Sequence, residues 1–406
     1  MNDEINEERV GRRGFLKTLG GAALGAGLSV TGRSEVHQKR RVESDVCVNH
    51  RFTLPGRLGN PERTLLSDER LDPRIRDALS VQDYGDRSAP PPSLTMKSTY
   101  AECLRWIAHM EESSEKQHPD QLSVMPVFPG IDSYEETIVG VDGNRIRLFI
   151  DRPRESLNRL PCVLHIHGGG MCFSSAKSPL SQRWRKSLAE RGLLVIGVEF
   201  RNAGGKLGNH PFPAGLNDCS SAVQWAYKNK NDLKASHIVI AGESGGGNLA
   251  IATALKVKKE AGGDLIRGIY AMAPMILGLY ESEPVSLMSW QENLGYQGSL
   301  EMVRAMTLAY DPDQQHALNP LAWPFNAKKE DLQGLPTHMI LNYELDLIRD
   351  DGAVFSRRLN AVGVPSSSIV ISGAHHVPEI AMPDVMPELT NNTLASLTAF
   401  VKAFRI

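Results

Sequence analysis

From residue 124 onward the chain alternates short apolar runs with segments whose apolar positions recur at helical spacing. The runs at 162–167, 193–200, 237–241, 268–273, 337–342 and 368–371 are short and β-branched enough to read as strands. Between and after them, 181–191, 216–228, 248–258, 350–362 and 394–404 read as helices. Two earlier strands, 134–141 and 145–150, are joined by Asp142-Gly143-Asn144 and predict an antiparallel hairpin. Strands that alternate with helices imply an α/β fold with a mostly parallel sheet covered on both faces. The segment 274–324, with Met288, Trp290, Tyr296, Met302 and Met306, breaks the alternation. It is expected to cap a site at the strand ends, with decoration of the sheet edge as the plainer reading. No internal repeat is visible.

Upstream, 34–123 is polar, with the run Ala89-Pro90-Pro91-Pro92-Ser93 and one helix at 97–112, whose Tyr100, Cys103, Leu104 and Ile107 share a face. Such a segment buries no core alone and is expected to pack over the main domain as an arm and part of a lid. Residues 1–33 contain Gly11-Arg12-Arg13-Gly14-Phe15-Leu16-Lys17 and then an uncharged Gly/Ala/Leu-rich run at 18–30. Paired arginines, an aromatic and a short apolar segment look like a twin-arginine export signal, so a periplasmic or secreted location is expected. A glycine-rich tail on a cytoplasmic protein is the alternative. The run is too short to span a bilayer comfortably.

Composition narrows the classes. At 406 residues and 41% hydrophobic, the chain can bury a large core. A net charge of −2 with acids and bases interspersed offers no basic stripe for nucleic acid. Five cysteines, Cys47, Cys103, Cys162, Cys172 and Cys219, lack CxxC spacing, so neither a zinc site nor a full disulfide framework is indicated.

The candidate chemistry centres on Gly242-Glu243-Ser244-Gly245-Gly246, between the strand at 237–241 and the helix at 248–258. A serine on so sharp a strand-to-helix turn is held in strained geometry that needs small neighbours, and the helix amides aim their positive end at it. His167-Gly168-Gly169-Gly170 follows the first parallel strand, where bare backbone amides can approach a ligand as an oxyanion hole requires. His167 is expected to brace that loop. The His165/His167 pair has no acidic or cysteine companions nearby in sequence, so no metal site is expected.

HGGG before a helix, followed by GxSxG, resembles the hormone-sensitive-lipase group of α/β-hydrolase-fold carboxylesterases, over roughly 124–406. The resemblance implies that group's fold and a catalytic acid in Tyr343-Glu344-Leu345-Asp346-Leu347-Ile348-Arg349-Asp350-Asp351-Gly352, at Asp346. It also implies a histidine in Gly373-Ala374-His375-His376, at His376. The order Ser244, Asp346, His376, each just past a strand end, is itself the α/β-hydrolase order. Asp350 or Asp351 reads better as a helix cap, Glu344 alternates to the other side of the strand end, and His375 remains a rival to His376. Amides of Gly169, Gly170 and Gly245 are the expected oxyanion donors.

Departures from the group's pattern are Val377-Pro378 after the histidine, Phe200-Arg201-Asn202-Ala203-Gly204-Gly205 after the second parallel strand, and Glu243 in place of aspartate. Glu243 is expected to anchor loops and Asp218 to be structural. Met171 and Cys172 are expected to line an acyl pocket, with plain packing as the alternative. The function expected is a serine carboxylesterase acting on short-to-medium acyl esters through an acyl-enzyme, without metal or organic cofactor. Its partner would be a small-molecule ester, with no nucleic acid and no stable membrane span, and a homodimer is left open. The rivals are an amidase or other carbonyl hydrolase on the same triad, and a non-catalytic small-ligand-binding protein.

Overall fold

The computed structural model describes residues 53–81, 94–156, 158–262, 265–278, 287–296 and 298–404. The signal-like segment 1–33 and the proline run at 89–93 lie outside them. Residues from Thr53 onward form one compact unit.

Eight strands build one sheet in the order β1-β2-β4-β3-β5-β6-β7-β8. They are β1 (Ile131–Val139), β2 (Arg145–Pro153), β3 (Leu160–Ile166), β4 (Leu194–Glu199), β5 (Ala235–Glu243), β6 (Gly268–Met272), β7 (Thr337–Tyr343) and β8 (Ser366–Ile371). The hairpin β1–β2 is antiparallel, turns through Gly143 at a φ of +78°, and joins the sheet antiparallel to β4. All other pairings are parallel. The chain therefore leaves β3 to β8 at one edge of the sheet, and this is what gathers residues distant in sequence.

Side chains alternate across the strands and feed two apolar layers. Leu164, Ile166 and Ile240 pack with Leu216, Val223, Leu249 and Phe355, from helices Ala214–Lys228, Gly245–Ala261 and Arg349–Ala361. Val163, Val195 and Val239 face the other way, against Trp184, Leu188, Leu397 and Val401 of helices Pro179–Glu190 and Pro387–Lys402. Central strands covered on both faces explain why β3 to β7 read as unbroken apolar runs, whereas edge strands β1 and β8 keep polar or exposed positions.

Two differences from the expected elements have local causes. The helix after β5 starts at Gly245 rather than near 248, because the glycines that read as a turn form its first turn. The 53–123 segment holds the expected helix, at Tyr100–Glu115 with a Thr99/Glu102 capping box, but also Gly56–Gly59, Pro73–Val81 and His118–Ser123. Pro73–Val81 carries only Ile75 and Leu79 as buried anchors, too few to stand out as a periodic pattern. Tyr100–Glu115 packs against Leu300–Tyr310, a helix of the 274–324 segment. Asp218 accepts from the Arg201 amide (2.8 Å), the Arg201 guanidinium and Asn144, and so pins the hairpin turn to the end of β4. No described helix is long and apolar enough to cross a membrane.

Candidate active site

Ser244 stands where β5 ends and the helix Gly245–Ala261 begins, at φ +55° and ψ −119°. A non-glycine residue there costs on the order of 1–3 kcal/mol, which the surroundings must hold in place. They do so through the backbone. The Ser244 amide donates to the Met272 carbonyl (2.8 Å) at the end of β6, and its carbonyl accepts from Asn248 (3.1 Å) and Met275 (3.2 Å). The flanking glycines are steric necessities. A Cβ at Gly246 would lie 2.0 Å from the Ile166 carbonyl oxygen, one at Gly242 would lie 2.4 Å from that of Gly246, and one at Gly245 would lie 2.4 Å from the Met171 nitrogen.

That last contact brings the serine turn against the glycine loop after β3, where Gly169 and Gly170 have φ of +98° and +59°. Glu243 fastens the two together. One carboxylate oxygen accepts from the Gly168 amide (2.8 Å) and the other pairs with His165 Nε2 (3.0 Å), as expected of a loop anchor. His167 donates from Nδ1 to the Gly168 carbonyl (2.8 Å) and stacks on Phe200 at 4.4 Å. Burial lowers its pKa, which keeps it a neutral brace. The amides of Gly169, Gly170 and Gly245 donate to no protein acceptor among the described residues. Gly169 and Gly170 line the cavity beside Ser244, whereas Gly245 is buried and is not among the lining residues.

Past β7, Asp346 is buried, with one carboxylate oxygen on the Ile348 amide (3.1 Å) and the other 2.7 Å from His376 Nδ1. A carboxylate here only accepts, so the imidazole proton sits on Nδ1 and Nε2 keeps its lone pair. Burial acts to lower the His376 pKa, but the Asp346 charge and hydrogen bond outweigh it, and the pKa is raised. The loop carrying His376 is tied to the acid turn. Leu345 donates to the Ala374 carbonyl (3.0 Å), and Glu344, on the other side of the strand end, accepts from the Gly373 amide (2.8 Å). His375 is 1% exposed, bonds the His376 carbonyl through Nδ1 (3.2 Å), and has its pKa driven down to about 4 by burial. His376 has a side chain 32% exposed.

One cavity of about 800 Å³ joins these groups, lined by Gly168, Gly169, Gly170, Ser244, Asp346 and His376. Its apolar walls include Trp106 and Met110 of the helix Tyr100–Glu115, and Met302, Val303 and Met306 of Leu300–Tyr310.

One expectation needs correcting. Met171 and Cys172 do not line the cavity; both are buried, and the Cys172 thiol donates to the Gly170 carbonyl (3.0 Å) from behind the loop. The turn at Met171, with φ +61°, sends these two side chains into the core and leaves Phe173 to form the wall. The signal missed was a change of backbone direction just after the glycines, which side-chain type does not reveal. Among the described residues, no cluster of three or more His, Cys, Asp or Glu side chains is arranged to hold a metal.

Known proteins fall in line with this geometry. A family profile described as the alpha/beta hydrolase fold matches residues 163–379. Carboxylesterase NlhH of Mycobacterium tuberculosis is 30% identical over 240 residues, which are 57% of this chain and 70% of that protein. An arylesterase of Saccharolobus solfataricus is 29% identical over 218 residues, 53% of this chain and 67% of that one. Among solved structures, brefeldin A esterase, described as a bacterial homologue of human hormone-sensitive lipase, superposes with a TM-score of 0.81 at 34% identity. That match covers 86% of this chain and 98% of the esterase. The chain thus belongs to the α/β-hydrolase-fold family, in its hormone-sensitive-lipase group of carboxylesterases.

Proposed function

We propose that the protein is a serine carboxylesterase that hydrolyses short-to-medium acyl esters through Ser244, His376 and Asp346. The observation that carries this reading is that Ser244, the bare amides of Gly169 and Gly170, and a histidine hydrogen-bonded to a buried aspartate all open into one cavity. His376 Nε2 takes the Ser244 proton as Oγ attacks the ester carbonyl. The amides of Gly169, Gly170 and Gly245 hold the resulting oxyanion; losing one such donor typically costs about 100- to 1000-fold in rate. As the tetrahedral adduct collapses, the imidazolium passes its proton to the departing alkoxide, and water then clears the acyl-enzyme by the same steps. Asp346 keeps the imidazole in its tautomer and stabilises its charged form.

The cavity volume lies within the range of about 300–1,000 Å³ common for small-molecule sites, and its apolar wall suits an acyl chain. Purified protein is expected to release p-nitrophenol from acetate to octanoate esters, and Ser244→Ala to reduce kcat by about 10⁴-fold or more. Comparable rates with the matching p-nitroanilides would favour an amidase instead. Saturable ester binding without turnover would favour a binding protein.

We also propose export through the twin-arginine pathway, on the strength of Arg12-Arg13 and the apolar run after them. A reporter fused to residues 1–33 should reach the periplasm and should stay inside when both arginines become lysine. Export that survives this change would count against the proposal.

A further inference from the structure

Beyond the cavity-lining groups, one fully buried side chain contacts the acid turn from an unrelated part of the chain. Asn293 closes the short helix Met288–Asn293 of the 274–324 segment and is 0% exposed. Its amide nitrogen donates to two backbone carbonyls, those of Glu344 (2.9 Å) and Asp346 (3.0 Å). Its oxygen accepts from Arg70 (3.3 Å). A primary amide has two N–H groups, and here both are spent on the turn beyond β7 that carries Asp346. Rotating that turn would strand two buried donors, at about 1–3 kcal/mol each.

The neighbouring residues hold Asn293 in place. Glu292 accepts both guanidinium arms of Arg349 (3.0 and 3.0 Å) and pairs with Arg70, while Arg349 also donates to the Glu344 carbonyl (3.1 Å). Ser289 and Asp350 exchange hydrogen bonds, amide to carboxylate (2.9 Å) and amide to hydroxyl (3.2 Å). Arg70 is salt-bridged to Asp68 (2.8 Å), which also accepts from the Tyr296 hydroxyl (2.8 Å). A stretch near residue 70, the 274–324 segment and the strand end are thereby joined at a single point. In such a network, removing one member leaves its buried partners unpaired, so the three segments hold one another's geometry.

We propose that Asn293 is a positioning residue, which fixes the turn that holds the Asp346 carboxylate against His376. The inference rests on the reading of Asp346 as the triad acid.

The test uses the full chain, with active sites counted by organophosphonate titration, and compares Asn293→Ala with Asp346→Asn. The charged and titratable groups around His376 are Asp346, Glu243, Glu379 and His375. Of these four, only Asp346 is hydrogen-bonded by Asn293. For Asn293→Ala, kcat per titrated site should fall about 10- to 100-fold with KM nearly unchanged, since ångström-scale misplacement costs about that much. The acid limb of kcat/KM should also move to lower pH, because weaker support from Asp346 leaves burial to dominate His376. A merely structural role would reduce the titratable fraction and move neither quantity. If both stay at wild-type values while Asp346→Asn loses activity, the positioning role is wrong. If Asp346→Asn itself keeps kcat and the acid limb, the reading of the acid is wrong and the inference falls with it. Should Asn293→Ala not fold, Asn293→Leu keeps about the same size, adds no charge and loses both donors, and is held to the same outcomes.

Discussion

His375 and His376 are neighbours with the same side chain, and their surroundings set them apart. His375 is enclosed, bonded to its neighbour's carbonyl and held neutral, with its pKa down to about 4 through burial. His376 is a third exposed to the cavity, and against the lowering effect of burial the Asp346 charge raises its pKa. With His376 as the proposed base, acting as the neutral ring, kcat/KM should rise with pH through the raised pKa, with a midpoint above the ordinary histidine value of about 6.5. His376→Ala should cost about 10⁴-fold or more in kcat, on the scale of triad deletions elsewhere, while His375→Ala should keep much of the activity. Steady-state rates across pH 5–9 check both, and the reverse ranking would reassign the base. Nothing in Gly373-Ala374-His375-His376 distinguishes the two rings; only the motif spacing of the related esterases singles out the second. The difference lies in burial, which is a property of the folded loop.

At the scale of elements, the central strands were legible because burial on both faces makes them apolar runs, and most of the long helices because their apolar positions recur at helical spacing. The shorter helices were not. Pro73–Val81 and Met288–Asn293 are held by contacts from other segments, Ile75 and Leu79 against the second apolar layer and Asn293 against the acid turn, so neither announces itself in a local window. The serine turn could be read because its constraints are local and steric. A Cβ at Gly246 would meet the Ile166 and His167 carbonyl oxygens at 2.0 and 2.5 Å, and neither backbone can yield without disturbing β3 or the glycine loop. Gly246→Ala should therefore destabilise by about 3 kcal/mol or more, at the upper end of overpacking costs. Gly130→Ala, where nothing lies within 4 Å, should stay within about 0.5 kcal/mol of wild type. Denaturant titration of both variants checks the pair. Equal midpoints would contradict the steric account.

Over the whole molecule, the site exists because a parallel sheet delivers the ends of β3, β5, β7 and β8 to one edge, where separate pieces of chain meet. The order of the serine, acid and base motifs foretold that meeting. The walls were not foretold. Trp106, Phe173 and Met302 come from three segments whose only relation is spatial, and the turn at Met171 reversed the expected lining. The central claim, that Ser244 is the nucleophile of an acyl-transferring triad, is tested most directly by an organophosphonate ester followed by peptide mass mapping. The account predicts one adduct per chain, on Ser244, forming in step with loss of esterase activity and absent from folded Ser244→Ala. A folded, active protein that keeps its activity with Ser244 unmodified, or loses it through an adduct elsewhere, would contradict the account.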